Sequence, residues 1–223
     1  MNTQHRFLLW SLLTFFVLIA GVFIWNQIYT YQTHFLAGTR PPAEITPTTP
    51  TTLPPLRPSD PSLGSKNARA LTIVEFADYD CLYCRLIQTE LNTAIKNSSR
   101  PIKLVWRDLP IPNGRTYGLV SALAARCAGD QGKFWDMHDR LYQLPTLDLT
   151  SIKGLAQQLS LDVTAFTTCI STGKYIPAIE EDVGIAKDHG ITAAPTLFIG
   201  TQTLSGFGDA KEILNLIHAN PLK

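Results

Sequence analysis

The 223 residues are 45% hydrophobic and 17% charged, enough apolar material to bury a sizeable core and too much for a disordered chain. Nineteen Lys and Arg against 18 Asp and Glu leave a net charge of +1, so no basic field exists to neutralise a run of phosphates, and nucleic acid is excluded as a partner. Of four cysteines only Cys81 and Cys84 lie close in sequence, which points to cysteine chemistry rather than to a disulfide-stapled scaffold.

Near the start of the sequence lie 19 uncharged residues, Phe7–Trp25, that as a helix nearly span a hydrocarbon core about 30 Å thick. A cleaved signal peptide is the rival, but its apolar region is usually only about 7–15 residues long, and no A-x-A site follows here. Arg6 precedes the run and the first Lys or Arg after it is Arg40, so a cytoplasmic N-terminus and an exported C-terminal part are expected. Residues 1–29 are then a stub and transmembrane anchor. Residues 30–65, with eight of the chain's 15 prolines between Arg40 and Ser65, read as an extended Pro/Thr-rich linker.

The remaining 66–223 form one domain. Leu71–Ala77 is a short, β-branched run that predicts a buried strand, and the apolar spacing from Leu86 predicts a helix ending near Asn97. Ile102–Arg107 alternates, with Ile102, Leu104 and Trp106 on one face. Helical periodicity fills about 113–190. It runs through Val120, Leu123, Ala124 and Cys127, then Phe134, Met137 and Leu141, then Ile152, Leu155, Ala156 and Leu159. Asp162 opens the next helix and Gly173 closes it, and the last of the series begins at Pro177 with Ile179, Val183 and Ala186 inward. Thr196–Ile199 and Gln202–Ser205 flank Gly200-Thr201 as a hairpin, and Asp209 caps a final helix. The expected fold is α/β, a mixed sheet with a helical insertion between its second and third core strands.

Cys81-Leu82-Tyr83-Cys84 follows a predicted strand and opens a predicted helix, the context that makes a C-x-x-C a redox motif. A thiolate at a helix N-terminus faces unsatisfied backbone N–H groups, so Cys81 is the expected low-pKa nucleophile and Cys84 the sheltered resolving thiol. A zinc half-site is the alternative, but neither Cys127 nor Cys169 supplies a second pair at ligand spacing, and no metal or other cofactor is expected. Glu75, a carboxylate in an otherwise apolar strand, either has a task, or faces solvent, or pairs with Arg107 on the neighbouring strand.

The segments VEFADYDCLYC (74–84), VWRDLP (105–110), AARCAGDQGKFWDMHD (124–139), CISTGKY (169–175) and GITAAPTLFIG (190–200) together resemble the DsbA-like thiol-disulfide oxidoreductases of the thioredoxin superfamily. The resemblance covers about residues 66–220. It implies a thioredoxin-like fold and an enzyme whose redox-active pair is Cys81 and Cys84. It further implies a cis peptide before Pro195 and a substrate chain held by Ala194 and Pro195, with Leu82 and Tyr83 beside it. The acid at the position of Glu75 would tune the cysteines or relay the proton of Cys84. A second, structural disulfide between Cys127 and Cys169 is implied, against the alternative of two buried free thiols. Exported thiol-containing proteins would be the substrates and a membrane redox protein a possible partner, with the chain itself a monomer on the periplasmic side. The motif's Leu-Tyr dipeptide lacks the proline and histidine of the most oxidising members, so a weaker oxidant is expected. Disulfide formation is the favoured activity. An envelope reductase for cytochrome or copper-site maturation and a non-catalytic peptide-binding module are the alternatives.

Overall fold

Strand β2 (Leu71–Ala77) lies at the centre of a five-stranded sheet ordered β1-β3-β2-β4-β5, with β1 Ser62–Gly64, β3 Ile102–Asp108, β4 Thr196–Ile199 and β5 Gln202–Ser205. The computed structural model describes residues 52–111 and 117–220, all within the unit Pro42–Lys223. The expected anchor at Phe7–Trp25 and the linker up to residue 51 lie outside the described residues; among the described residues no helix is long and apolar enough to cross a membrane. Only the β2–β3 pair is parallel, which requires a crossover, and helix α1 (Leu82–Asn97) supplies it. Between β3 and β4 come α2 (Tyr117–Gly129), α3 (Phe134–Leu141), α4 (Leu149–Gln158), α5 (Val163–Ser171) and α6 (Ile176–Asp188), and α7 (Ala210–Ala219) closes the order.

The two faces of the sheet follow the period of two in its central strands. Ile73 of β2 and Ile102 and Leu104 of β3 pack against Ile87 and Leu91 of α1 and Ile213 and Ile217 of α7. Val74, Phe76, Val105 and Phe198 turn the other way, toward Ala186 of α6. A wholly buried Ile or Leu such as Ile87 or Leu91 contributes about 1.5–3 kcal/mol relative to exposure, so α1 is fixed to the sheet chiefly by its apolar stripe. The inserted helices enclose their own core, which reaches Ala77, Cys84 and Trp106. Asp148, Asp162 and Asp209 cap α4, α5 and α7, each accepting from the backbone N–H three residues on. The β4–β5 hairpin turns through Gly200 at φ +61, a conformation that disfavours a side chain.

Two expectations need correction. Residues 52–65 are not free linker. Pro54 is buried, Leu53 packs beside Val74 and Phe198, and β1 pairs antiparallel with β3 through Ser62↔Val105, Leu63↔Leu104 and Gly64↔Lys103. Three residues among prolines carry too little period to signal a strand; the free edge of β3 selects them. On α6, Val183 is 38% exposed and Asp182 is wholly buried in its place.

The reason is a buried ionic cluster on the α6 side of the sheet. Asp182 Oδ1 accepts from Arg107 Nη1 at 2.7 Å and also pairs with Arg57, while its Oδ2 meets Arg126 Nη2 at 2.5 Å. Arg107 Nη2 reaches Asp60 Oδ2 at 2.8 Å, Arg57 Nε reaches Asp60 Oδ1 at 2.8 Å, and Arg126 Nε reaches Asp108 Oδ2 at 2.6 Å. Three guanidiniums and three aspartates are thus paired with little access to water, with Arg107 Nε left unbonded and Arg57 also facing Glu181, and turning Asp182 into this cluster rotates Val183 outward.

Candidate active site

Cys81 stands at the N-cap of α1, with extended backbone (φ −99, ψ 122), so its sulfur faces the first turn. The backbone N–H of Cys84 donates to Cys81 Sγ at 3.1 Å, and the Cys81 thiol reaches the Ala194 carbonyl at 3.5 Å. Both cysteines are unbridged; Cys81 is partly exposed and Cys84 wholly buried. A hydrogen bond from the Cys84 thiol, opposed by partial burial and joined by backbone N–H groups of Cys84 and Tyr83, holds the Cys81 thiol below its ordinary value. Burial pushes Cys84 well above its own, and the neighbouring Cys81 adds to this. The pair is therefore polarised into one accessible, readily ionised sulfur and one that stays protonated.

The loop leading to Cys81 is held from several sides. Asp78 Oδ1 accepts from the Asp80 N–H and Oδ2 from the Ile111 N–H, each at 2.9 Å, and burial raises this carboxyl despite both bonds. The first turn of α2 lies against it: a Cβ at Gly118 would sit 2.4 Å from Asp78 Oδ1, so only glycine fits there. Tyr79 packs between Trp106 and Tyr142, with ring centroids 5.0 and 5.1 Å away, and Tyr142 donates to the Asp78 carbonyl at 3.3 Å.

Ala194–Pro195 is cis, with Pro195 buried at the start of β4 and Ala194 partly exposed beside Cys81. Leu82 is 63% exposed and Tyr83 partly so, both in the first turn of α1. Cys81, Leu82, Tyr83 and Ala194 therefore border one surface. Cys127 of α2 and Cys169 of α5 are joined by a disulfide, with Cα atoms 5.9 Å apart, which ties two helices of the insertion.

Glu75 lies beneath the pair and is wholly buried. Its register partner on β3 is Trp106; Arg107 belongs to Phe76 and the opposite face, which removes the Glu75–Arg107 alternative. Gln88 Nε2 donates to Glu75 Oε1 at 2.6 Å, and Oε2 has no partner. Burial, resisted by the Gln88 bond and reinforced by the negative charge of Cys81, raises this carboxyl to about 8. Gln88 and Asp78 went unread in the sequence. The signal available for Gln88 was its position four residues after Cys84, one turn along the same helix face.

Residues 57–219 match the thioredoxin family. The chain belongs to that family. Among solved structures, this thioredoxin-family chain is similar to a thioredoxin-like oxidoreductase from Silicibacter pomeroyi DSS-3 (TM-score 0.65, 24% identity, covering 73% of this chain and 92% of the other). It is similar also to the thiol-disulfide exchange protein alpha-DsbA2 from Wolbachia pipientis (TM-score 0.64, 24% identity, 72% and 86% covered) and to oxidised BdbD from Bacillus subtilis (TM-score 0.61, 21% identity, 72% and 91% covered). These likenesses show the DsbA-like thioredoxin architecture with its helical insertion. By sequence the chain is 31% identical over 156 residues to the Na(+)/H(+) antiporter NhaA 1 of Salinispora arenicola, covering 68% of this chain and 23% of that protein. It is 29% identical over 168 residues to the Na(+)/H(+) antiporter NhaA of Herminiimonas arsenicoxydans, covering 75% and 27%. The chain spans about a quarter of the length of these curated relatives.

Proposed function

We propose that this protein is a thiol-disulfide oxidoreductase that introduces disulfides into exported proteins through Cys81 and Cys84. The observation that carries the reading is the polarised pair: Cys81 at a helix N-cap with a lowered pKa, beside a buried Cys84 with a raised one. A substrate thiolate attacks Cys81 Sγ of the oxidised pair, forming a mixed disulfide and releasing Cys84, which takes a proton from Glu75. A second substrate thiolate then attacks the substrate sulfur of that bond and expels Cys81 as a thiolate. The substrate leaves oxidised and the protein reduced, ready for a membrane redox partner to accept its two electrons. Stabilising the departing Cys81 thiolate favours the reduced form, which is what makes such a pair an oxidant. The Ala194 backbone and the exposed Leu82 and Tyr83 receive the substrate chain. The reading is supported by the thiol-disulfide exchange activity named for the Wolbachia relative; the ion transport named for the antiporters is not carried over.

Placement of the domain outside the cytoplasm is supported by the Phe7–Trp25 run with Arg6 before it, and by a Cys127–Cys169 bridge, a bond that persists in oxidising compartments. Residues 1–29 are the anchor in this reading, and the folded unit works as a monomer. Equilibration of the full chain in graded glutathione buffers, with the fraction of Cys81–Cys84 disulfide read by alkylation and mass, tests the direction. A potential between roughly −180 and −120 mV, the range from protein disulfide isomerase to the strongest periplasmic oxidant, supports disulfide formation; one below about −250 mV assigns the protein to reduction instead. Cys84→Ser should trap mixed disulfides on Cys81, and an absence of such adducts in envelope extracts counts against exchange altogether.

A further inference from the structure

Dithiol exchange needs a proton donor and acceptor for Cys84, but it does not by itself require the amide found beside that group. Cys84 and Gln88 are one helical turn apart on the face of α1 laid over β2. Gln88 is partly exposed, whereas the Glu75 carboxyl it binds is wholly buried. The Nε2 to Oε1 distance of 2.6 Å leaves Oε2 as the carboxyl's unengaged atom.

The rest of the surroundings is uncharged or carries groups that become negative. Cross-strand neighbours of Glu75 are Trp106 on β3 and Leu197 on β4. The titratable groups that feel it are the thiols of Cys81 and Cys84 on α1 and the phenols of Tyr79 and Tyr142. Among the described residues no lysine or arginine pairs with it. A neutral amide donor suits this place for a specific reason. It can bond one oxygen of the carboxyl whether the other is protonated or not, and it adds no charge that would hold the group permanently ionised.

We propose that Gln88 is a positioning residue: its amide pins the Glu75 carboxyl through Oε1, so that Oε2 is the atom that gives and takes the proton of Cys84. The assignment rests on the dithiol-exchange reading. When the substrate thiolate attacks Cys81, the Cys81–Cys84 bond breaks and the Cys84 sulfur carries the displaced electron pair. The proton on Oε2 passes to that sulfur, and the carboxylate left behind keeps its Gln88 bond. On reoxidation the same proton returns to Oε2.

Two substitutions with opposite electrostatics separate positioning from packing. Gln88→Lys places an ammonium against the carboxylate and should lower the Glu75 midpoint by about one to three pH units, whereas Gln88→Leu removes its donor and should raise it by about one. The carboxyl is read in the full chain in detergent by the infrared carbonyl band of the protonated acid, assigned by its loss in Glu75→Gln. The exchange rate with oxidised glutathione is followed over the same pH range. Midpoints that diverge in opposite directions, with the pH profile of exchange following each, support the proposal. Exchange that is active while the midpoints stay together, or move the same way, overturns the role of Gln88 alone. Wild-type protein without exchange at any pH overturns the dithiol reading itself. Gln88→Lys keeps a long, partly exposed side chain and serves as the test if Gln88→Leu fails to fold.

Discussion

Replacing Glu75 with Gln should change how stability depends on pH, and by an amount that follows from burial. In the folded protein the carboxyl titrates at about 8 against an ordinary value of 4.5, so between these pH values the native state holds a proton that the unfolded chain has lost. A folded-state pKa that is raised contributes stability fully present below pH 4.5 and lost as pH rises through about 8. At about 1.4 kcal/mol per pH unit, the loss reaches roughly 3 kcal/mol by pH 7 and at most about 5 kcal/mol above pH 8. Glu75→Gln has the same shape and no titration, so its stability relative to wild type should climb with pH through this window. Urea unfolding of both proteins at steps from pH 5 to 9 measures the difference. Working with the Cys81–Cys84 disulfide formed keeps the thiols from titrating, and the leading cause of the raised value, burial, is unaffected by that bond. Parallel stability curves across the window would refute the claim that this carboxyl is buried and protonated at neutral pH.

Other outcomes follow from the same geometry. Removing the 127–169 bridge with Cys127→Ala and Cys169→Ala should cost about 4 kcal/mol by the loop-entropy relation for a separation of 42 residues, read as a lower urea midpoint; an unchanged midpoint means that the bridge does not constrain the unfolded chain. In the native reduced protein at pH 7, iodoacetamide should label Cys81 quickly and Cys84 only after denaturation, and equal labelling would dissolve the distinction between the two sulfurs. Asp182→Asn takes away the carboxylate shared by Arg57, Arg107 and Arg126 and should destabilise the protein by about 3–5 kcal/mol. A loss under about 1 kcal/mol in thermal unfolding would show that water reaches the cluster.

The sequence was most informative where one local rule sufficed. Leu71–Ala77 and the Thr196–Ser205 hairpin were visible from side-chain type and turn chemistry, and Asp162 and Asp209 announced their helices because a cap acts within three residues. Cys81 at a helix start was legible for the same reason. What escaped depends on partners distant in the chain. Arg107 and Asp182 are 75 residues apart, so neither the burial of Asp182 nor the outward turn of Val183 could be seen in the period of α6. Glu75 stood out as a charge in an apolar strand, but the partner its carboxyl takes did not. Parallel register placed Arg107 on the far face, and Gln88, a residue with no apolar or ionic signature, took the contact.

The short strand β1 has a practical meaning for anyone handling the isolated domain. A fragment beginning at residue 66, where composition alone would cut, loses Ser62–Gly64 together with the Pro61 carbonyl and Ser65 N–H that continue the same ladder along β3. From Ile102 to Trp106 an apolar strand would then present its backbone donors and acceptors to water along an open edge. The same cut removes Arg57 from the ionic cluster and takes the Pro55 carbonyl and Asp60 from Arg107, leaving that buried guanidinium only Asp182 of its three hydrogen-bond partners. Such a fragment should self-associate through strand-to-strand pairing as its concentration rises, while one that begins at residue 52 keeps the edge closed and stays dispersed.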